Sequence, residues 1–146
     1  MRKTGLCIAT AALFLWHGQA GPVQAQAAQT TERFDGKWQT TVTCEPARGA
    51  LGFSYRFDSL VKAGHLRGLR GTEGQPSSLL VEGDIDVEGA TTLYAQGKTG
   101  SKEFVPGRDT QPGTDFGYHV KAHFEERKGS GARVEGRACS FEFEKR

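Results

Sequence analysis

Three histidines beyond the N-terminal region, His65, His119 and His123, are the residues whose chemistry could serve catalysis or metal binding. Imidazole acts as a general acid or base near neutral pH and is a frequent metal ligand. His119 and His123 lie four apart in a stretch that alternates like a strand, which separates them by roughly 13 Å. A zinc ion needs its nitrogen ligands at about 2 Å. The spacing therefore predicts solvent-facing side chains and no metal site.

Catalytic motifs of other kinds are missing from the sequence. The chain contains no Gly-x-Ser-x-Gly turn, no His-Glu-x-x-His helix and no glycine-rich phosphate loop. A histidine beside a carboxylate is the remaining enzymatic hypothesis. We predict a protein that is not an enzyme, with no catalytic residue and no cofactor.

A row of four carboxylates alternates with apolar residues: Glu82, Asp84, Asp86 and Glu88. Alternate residues of a strand are roughly 6 to 7 Å apart, and the row lacks the tight turn of a calcium loop. We therefore expect a solvated outer face rather than a cation site. Like charges in line should seek cross-strand partners, of which Arg67, Arg70 and Lys98 are the nearest in sequence.

Aromatic side chains provide the best candidates for binding, because a set of eight falls mostly on the apolar parity of predicted strands. These are Trp38, Phe53, Tyr55, Phe57, Tyr118, Phe124, Phe141 and Phe143. In a small barrel such rings either fill the interior or line a pocket for one small ligand. We predict them as ligand-binding residues of a barrel interior, beneath a long loop over 99–115, since loops at barrel mouths often carry binding.

The N-terminus predicts an export signal, with Arg2 and Lys3 ahead of an apolar run over 6–16 and small residues after it. That run is well short of the roughly 20 residues that cross a bilayer. The candidate cleavage points follow three alanines: Ala20, Ala25 and Ala27. The predicted organisation is a cleavable signal segment, 1–25, a flexible lead-in, 26–33, and one domain, 34–146.

Removing the signal segment changes both the charge and the cysteine count. Of 19 Lys and Arg residues, Arg2 and Lys3 leave, so 17 remain against 17 Asp and Glu. The resulting formal charge of zero gives no field that would attract nucleic acid or an anionic membrane. Cys7 also leaves, and Cys44 and Cys139 remain in a compartment where disulfides persist. We predict a periplasmic or secreted protein with a Cys44–Cys139 disulfide.

Beyond Phe34 the chain alternates polar and apolar residues and repeats Gly and Pro too often for long helices. The alternation is clearest over 79–87 and ends in a turn at Gly89. Four apolar residues share one face there: Leu79, Val81, Ile85 and Val87. Counting a weak strand over 102–105, the pattern predicts seven to eight strands joined mostly by short turns.

The predicted disulfide also bears on topology, because Cys44 ends the first strand and Cys139 lies in the last. If these strands pair antiparallel with the cysteines opposite, two further couples meet on the inward parity: Val42 with Phe141, and Thr40 with Phe143. We predict an all-β fold, an antiparallel up-and-down meander that closes into a small barrel and leaves no free edge. A β-sandwich is the alternative.

The segment Gly36-Lys37-Trp38 resembles the Gly-x-Trp opening of the calycin barrels, the lipocalin and avidin families, and 64–68 is similar to the turn and third strand of avidin-like chains. The resemblance implies a closed barrel whose open mouth holds a small ligand. It does not imply biotin, because avidin-like pockets rely on several tryptophans and residues 26–146 have only Trp38. It also implies an arginine packed on that tryptophan, with Arg133 and Arg137 as candidates.

These patterns lead us to expect an exported, non-enzymatic binding protein with a calycin-like barrel. Its partner would be a small apolar ligand in the barrel or a protein on the end loops, with no nucleic acid and no membrane after signal cleavage. The alternative is an inhibitor of an envelope or foreign hydrolase that acts through the 99–115 loop.

Overall fold

The chain forms a closed barrel of eight antiparallel strands, each paired with the next and the last paired with the first. The structure, a computed structural model, describes residues 30–107 and 110–146. The strands are β1 (Gly36–Cys44), β2 (Phe53–Lys62), β3 (His65–Arg70), β4 (Leu79–Asp84), β5 (Ala90–Lys98), β6 (Asp115–Phe124), β7 (Lys128–Arg133) and β8 (Cys139–Lys145). The predicted up-and-down barrel is confirmed, and the sandwich alternative is wrong. The predicted signal segment, 1–25, lies outside the described residues.

The β1–β8 ladder closes the barrel in the register that the cysteines predict. Cys44 lies opposite Cys139, and a disulfide joins them with their Cα atoms 4.0 Å apart. The inward couples of this ladder are also as predicted: Val42 with Phe141, and Thr40 with Phe143. The disulfide therefore links the first and last strands at the end of the barrel where β1 ends and β8 begins.

The opposite end of the barrel, where β1 begins, is closed by aromatic packing. Trp38 donates its ring N–H to the Phe34 carbonyl oxygen at 2.8 Å, and its ring lies edge-on to Phe124 with centroids 5.3 Å apart. Phe143 packs against Phe124 at 4.6 Å, and all four side chains are buried. Gly129 makes room, since a Cβ there would lie 2.9 Å from the Phe124 ring. This half of the barrel is therefore filled.

A 3-10 helix, Thr31–Phe34, precedes β1 and seals this closed end. It includes three residues of the segment 26–33, which the sequence pattern assigns to a flexible lead-in. Arg33 donates to the Val87 carbonyl oxygen at 2.7 Å, which ties the helix to the turn between β4 and β5. Within residues 30–107 and 110–146, no helix is long and apolar enough to span a bilayer.

Lys145 is the cation that covers the opening tryptophan. Its ammonium lies 5.9 Å from the Trp38 ring centroid and donates to the Arg33 carbonyl oxygen at 2.9 Å. The expectation that Arg133 or Arg137 packs on Trp38 is wrong. Arg133 ends β7 and Arg137 precedes β8, which places both at the opposite, open end of the barrel.

The prediction that Val87 faces the core is wrong, because this residue lies in the turn between β4 and β5. The Asp86 carboxylate accepts the backbone N–H groups of Glu88 and Ala90 at 2.9 and 2.8 Å, so the strand ends before this aspartate. Gly89, with φ of 94°, completes the predicted turn. Val87 is consequently 45% exposed instead of facing the core.

The acidic row obtains one of its three expected partners. Arg67 pairs across β3 and β4 with Glu82 at 2.8 Å, as predicted. Lys98 pairs instead with Asp115 on β6 at 2.7 Å. Arg70 occupies the inward parity of β3 and lies at the open end, so its expected pairing with the row is wrong.

The segment between β5 and β6 forms the predicted long loop, and its ends are pinned together. The Thr99 carbonyl oxygen accepts the Gly113 N–H at 2.8 Å, and the Thr99 hydroxyl donates to the Gln111 carbonyl oxygen at 2.6 Å. The weak strand predicted over 102–105 is wrong, because Lys102–Phe104 forms a 3-10 helix.

Candidate ligand-binding site

The open end of the barrel contains a cavity of about 840 Å³. Ligand pockets in proteins measure roughly 300 to 1,000 Å³. The cavity wall is built from strand ends and from the 99–114 loop, with its largest side chains supplied by Phe53, Tyr55, Arg70, Phe104, Phe116, Tyr118, Arg133 and Arg137. The barrel is therefore filled at the tryptophan end and hollow at the other.

This division splits the aromatic residues predicted to bind a ligand. Phe53, Tyr55 and Tyr118 line the cavity. The other five pack in the core instead: Trp38, Phe57, Phe124, Phe141 and Phe143. Two rings without a sequence prediction, Phe104 and Phe116, join the cavity wall.

The aromatic rings of the cavity form two flat stacks. Phe53 and Tyr55 are stacked on β2 with centroids 5.3 Å apart and planes 8° apart. Phe116 and Tyr118 are stacked on β6 at 6.0 Å and 10°. Because β2 and β6 are four strands apart in a barrel of eight, the stacks stand on opposite sides. They can receive an apolar ligand between them.

Guanidinium groups lie over three of these rings, at the distances expected for cation–π contacts. The distances from Cζ to the ring centroid are 4.3 Å for Arg70 over Tyr55, 3.9 Å for Arg133 over Tyr118, and 5.1 Å for Arg137 over Phe53. In the part of the chain that the structure describes, none of the three forms an ion pair with a carboxylate. The cavity therefore combines apolar walls with positive charge.

Arg137 differs from the other two because it fastens the rim of the cavity. It donates to the carbonyl oxygens of Glu45 at 3.0 Å, Leu51 at 2.9 Å and Phe104 at 2.8 Å. These atoms belong to the β1–β2 loop and to the 99–114 loop. Burial and the nearby Arg133 charge lower the pKa of Arg137, but a guanidinium stays protonated in proteins. Its role is to hold two loops together.

The two tyrosines present hydroxyl groups in the cavity that keep their protons. Burial raises the pKa of Tyr118 to about 12, and the Arg133 charge opposes part of that rise. Burial, followed by the proximity of Tyr118, raises the pKa of Tyr55 still further. Both phenols are therefore neutral hydrogen-bond donors at any physiological pH.

Because burial favours the neutral phenol, stability should fall at high pH. Above about pH 10 the unfolded chain ionises Tyr118 while the native state still holds its proton, which draws the equilibrium toward unfolding. Between about pH 9 and about pH 11 we expect wild type to lose about 1 kcal/mol relative to Tyr118→Phe. Urea unfolding of both proteins at each pH measures this difference. A constant difference would contradict the raised pKa.

Ser78 adds a polar group to the wall that lacks a hydrogen-bond partner. Its hydroxyl oxygen is buried, the residue is 4% exposed, and no described residue bonds to it. An unpaired buried hydroxyl costs roughly 1 to 3 kcal/mol.

The histidines lie away from this cavity, on the outer surface of the barrel. His65 pairs with Asp84 and His119 with Glu135, each at 2.7 Å, and His123 is exposed. Hydrogen bonds from the His119 backbone and ring lower the pKa of Glu135. The prediction of solvent-facing histidines is confirmed. Among residues 30–107 and 110–146, no three potential metal ligands come together.

The arginines of the cavity, like Phe104 and Phe116, are not predicted as binding residues by the sequence pattern. A signal for them exists in the parity of the strands. Arg70 lies two residues after the inward Gly68, and Arg137 lies two before the inward Cys139. Arg133 also occupies an inward position of β7. The signal is therefore a set of charged residues at inward-facing positions, all near the same end of the barrel.

Comparisons with protein-family models, with curated proteins and with solved structures find no match for this chain. The chemistry of the cavity is therefore the basis for assigning a function.

Proposed function

We propose that this protein is an exported, non-enzymatic binding protein that holds one small, largely apolar molecule in the open end of its barrel. The observation that carries the proposal is the cavity of about 840 Å³ between two aromatic stacks. Burying apolar surface between such rings contributes about 25 cal/mol per Å². A molecule of ordinary metabolite size would bury enough apolar surface against these rings to bind stably.

The architecture supports a calycin-like assignment as part of the same proposal. Eight strands close into a barrel, Trp38 of the Gly-x-Trp segment lies in the closed end, and a cation covers its ring. Here that cation is Lys145 rather than an arginine. The filled base leaves the opposite mouth free to admit a ligand.

Export is supported by the disulfide and by the predicted signal segment. Cys44 and Cys139 are bonded, and such bonds persist mainly in oxidising compartments. A periplasmic or secreted location fits the disulfide and the predicted signal segment, and there the cavity would meet small molecules outside the cytoplasm.

The alternative of a hydrolase inhibitor acting through the 99–115 loop has weaker support. An inhibitory loop must project into its target, whereas the described residues of this one include Phe104, which packs on the barrel. Phe104 packs edge-on against Phe53 with centroids 6.1 Å apart, and Arg137 holds its carbonyl oxygen. The described loop residues therefore help to build the cavity wall.

Binding can be measured with N-phenyl-1-naphthylamine, a neutral apolar dye whose fluorescence rises in a dry environment. We expect saturable binding of one dye per chain, and Phe53→Ala should weaken it about ten-fold because one ring of a stack is lost. Tyr94→Ala is the matched control, since it truncates an aromatic ring on the outer face of β5, 41% exposed.

The two variants separate the cavity from the outer surface. Weaker binding in Tyr94→Ala with unchanged binding in Phe53→Ala would place the dye outside the barrel and refute the proposal. So would the absence of saturable binding to the wild-type protein.

A further inference from the structure

The charge of the cavity wall suggests what kind of molecule it accepts. Resting on the proposed function, we infer that the ligand is an organic anion, with an apolar body between the aromatic stacks and one carboxylate, sulfonate or phosphate group attracted by the positive charges of Arg70 and Arg133. The proposal depends on where positive charge collects, on which N–H groups are unused, and on the size of the cavity.

Positive charge is concentrated at the cavity although residues 26–146 carry no net charge. Of the described residues, five cations and one carboxylate line the wall: Arg48, Arg70, Lys98, Arg133, Arg137 and Asp115. Lys98 and Asp115 pair with each other at 2.7 Å and so cancel. The remaining wall charge is positive, and a buried or half-buried cation without a counter-ion is costly. An anionic ligand would supply that counter-charge.

Arg70 and Arg133 have the hydrogen-bonding capacity that this role requires. A guanidinium has five N–H groups. Arg70 donates to the Ser77 carbonyl oxygen at 2.6 Å, and Arg133 donates through Nε to the Glu135 carbonyl oxygen. The other N–H groups of Arg70 and Arg133 have no hydrogen-bond acceptor among the described residues and are available to a ligand. Arg137 instead donates its N–H groups to three carbonyl oxygens.

Both guanidiniums are also held in place before any ligand arrives. Arg70 lies over the Tyr55 ring and Arg133 over the Tyr118 ring, so little side-chain freedom is lost on binding. Both side chains are half-buried, where charge-assisted hydrogen bonds are stronger than in water. The phenol groups of the two tyrosines add neutral donors that can serve an anionic oxygen.

The size of the cavity argues against a simple inorganic anion as the ligand. A phosphate or sulfate ion would occupy a small part of about 840 Å³ and would leave the apolar part of the cavity wall uncovered. A molecule with an apolar body and an anionic group would contact both the aromatic rings and the arginines. We therefore expect the ligand to be amphipathic.

A pair of dyes that differ by one anionic group tests the inference. 8-Anilino-1-naphthalenesulfonate is the sulfonated counterpart of N-phenyl-1-naphthylamine. At low ionic strength we expect wild type to bind the sulfonate about ten-fold tighter than the neutral dye. In Arg70→Met/Arg133→Met the ratio should fall to about one, because methionine keeps an apolar stem at both positions and removes only the charge.

The matched control removes the same number of charges elsewhere. Arg56→Met/Arg127→Met alters two exposed arginines outside the cavity and should keep the wild-type ratio. Each single variant, Arg70→Met and Arg133→Met, should show a preference for the sulfonated dye that is about three-fold smaller than in wild type. The single variants can be measured if the double variant does not fold. An unchanged ratio in all three cavity variants would overturn the inference.

Competition by two carboxylates tests the apolar requirement. Decanoate should displace the sulfonated dye, and acetate at the same concentration should not. Displacement by acetate would show a site for the anion alone and would contradict the amphipathic ligand. Saturable binding of the neutral dye without any preference for the sulfonate would defeat this inference while leaving the proposed function standing. Failure of both dyes to bind would defeat the proposed function itself.

Discussion

We expect that replacing Cys44 and Cys139 together with alanine will lower the free energy of unfolding by about 4 kcal/mol. The two residues are 95 positions apart, so their bond closes a loop that spans most of the folded chain and restricts the unfolded state accordingly. It also joins β1 to β8, the pairing with the largest sequence separation in the barrel. Without the bond, the folding chain must bring these ends together at its own entropic cost.

Urea unfolding monitored by the fluorescence of Trp38, the only tryptophan of residues 26–146, measures this loss. The control is the wild-type chain with its disulfide reduced, which keeps both side chains and loses only the bond. It should unfold at a urea concentration close to that of the double variant. A midpoint that reduction leaves unchanged would contradict the predicted contribution.

Replacing Arg137 with methionine should cost about 3 kcal/mol, because three carbonyl oxygens of the rim lose a charged donor at once. Methionine keeps most of the apolar stem, so the loss reflects the hydrogen bonds more than the packing. Arg137→Lys should recover only part of it, since one ammonium cannot reproduce the planar fork. Arg127→Met makes the same change at an exposed position and should be nearly neutral.

Hydrogen exchange distinguishes a loosened rim from a weakened barrel. The Leu51 amide donates to the Glu103 carbonyl oxygen at 2.7 Å, linking the same two loops that Arg137 fastens. In Arg137→Met this amide should exchange faster, while amides of the β1–β2 ladder keep their protection relative to global unfolding. Equal acceleration throughout the barrel would contradict a local role for Arg137.

Much of the fold can be read from the sequence because strand parity and the disulfide are both strong constraints. A one-residue shift would turn Val42 and Phe141 to the solvent, so the apolar alternation and the cysteine pair allow one register. The same logic identifies the inward aromatic rings. It cannot tell which of them fill the base and which line the cavity, since that depends on depth along the barrel axis.

The charged part of the site is harder to predict, because a charged residue normally marks the outer face of a strand. For this reason the sequence pattern pairs Arg70 with the acidic residues of 82–88. The family resemblance, in turn, implies that Arg133 or Arg137 packs on the Trp38 ring. Their true positions depend on which end of the barrel each strand end reaches, a property of the closed topology. Lys145 shows the same effect at the tryptophan end.

The remaining differences come from local hydrogen bonding. Val87 faces out because the Asp86 carboxylate closes a turn earlier than the alternation suggests. Apolar spacing carries no information about where a side chain will accept backbone N–H groups.

Thr30 and Arg146 lie at the same end of the barrel, away from the mouth. Thr30 directly precedes the 3-10 helix of the closed end, and the Arg146 backbone N–H donates to the Lys37 carbonyl oxygen at 2.9 Å. An affinity tag, a fluorescent label or a surface attachment placed at either point would leave the entrance unobstructed. Immobilised in this way, the protein would face its cavity toward the solution, an orientation suited to screening for its ligand.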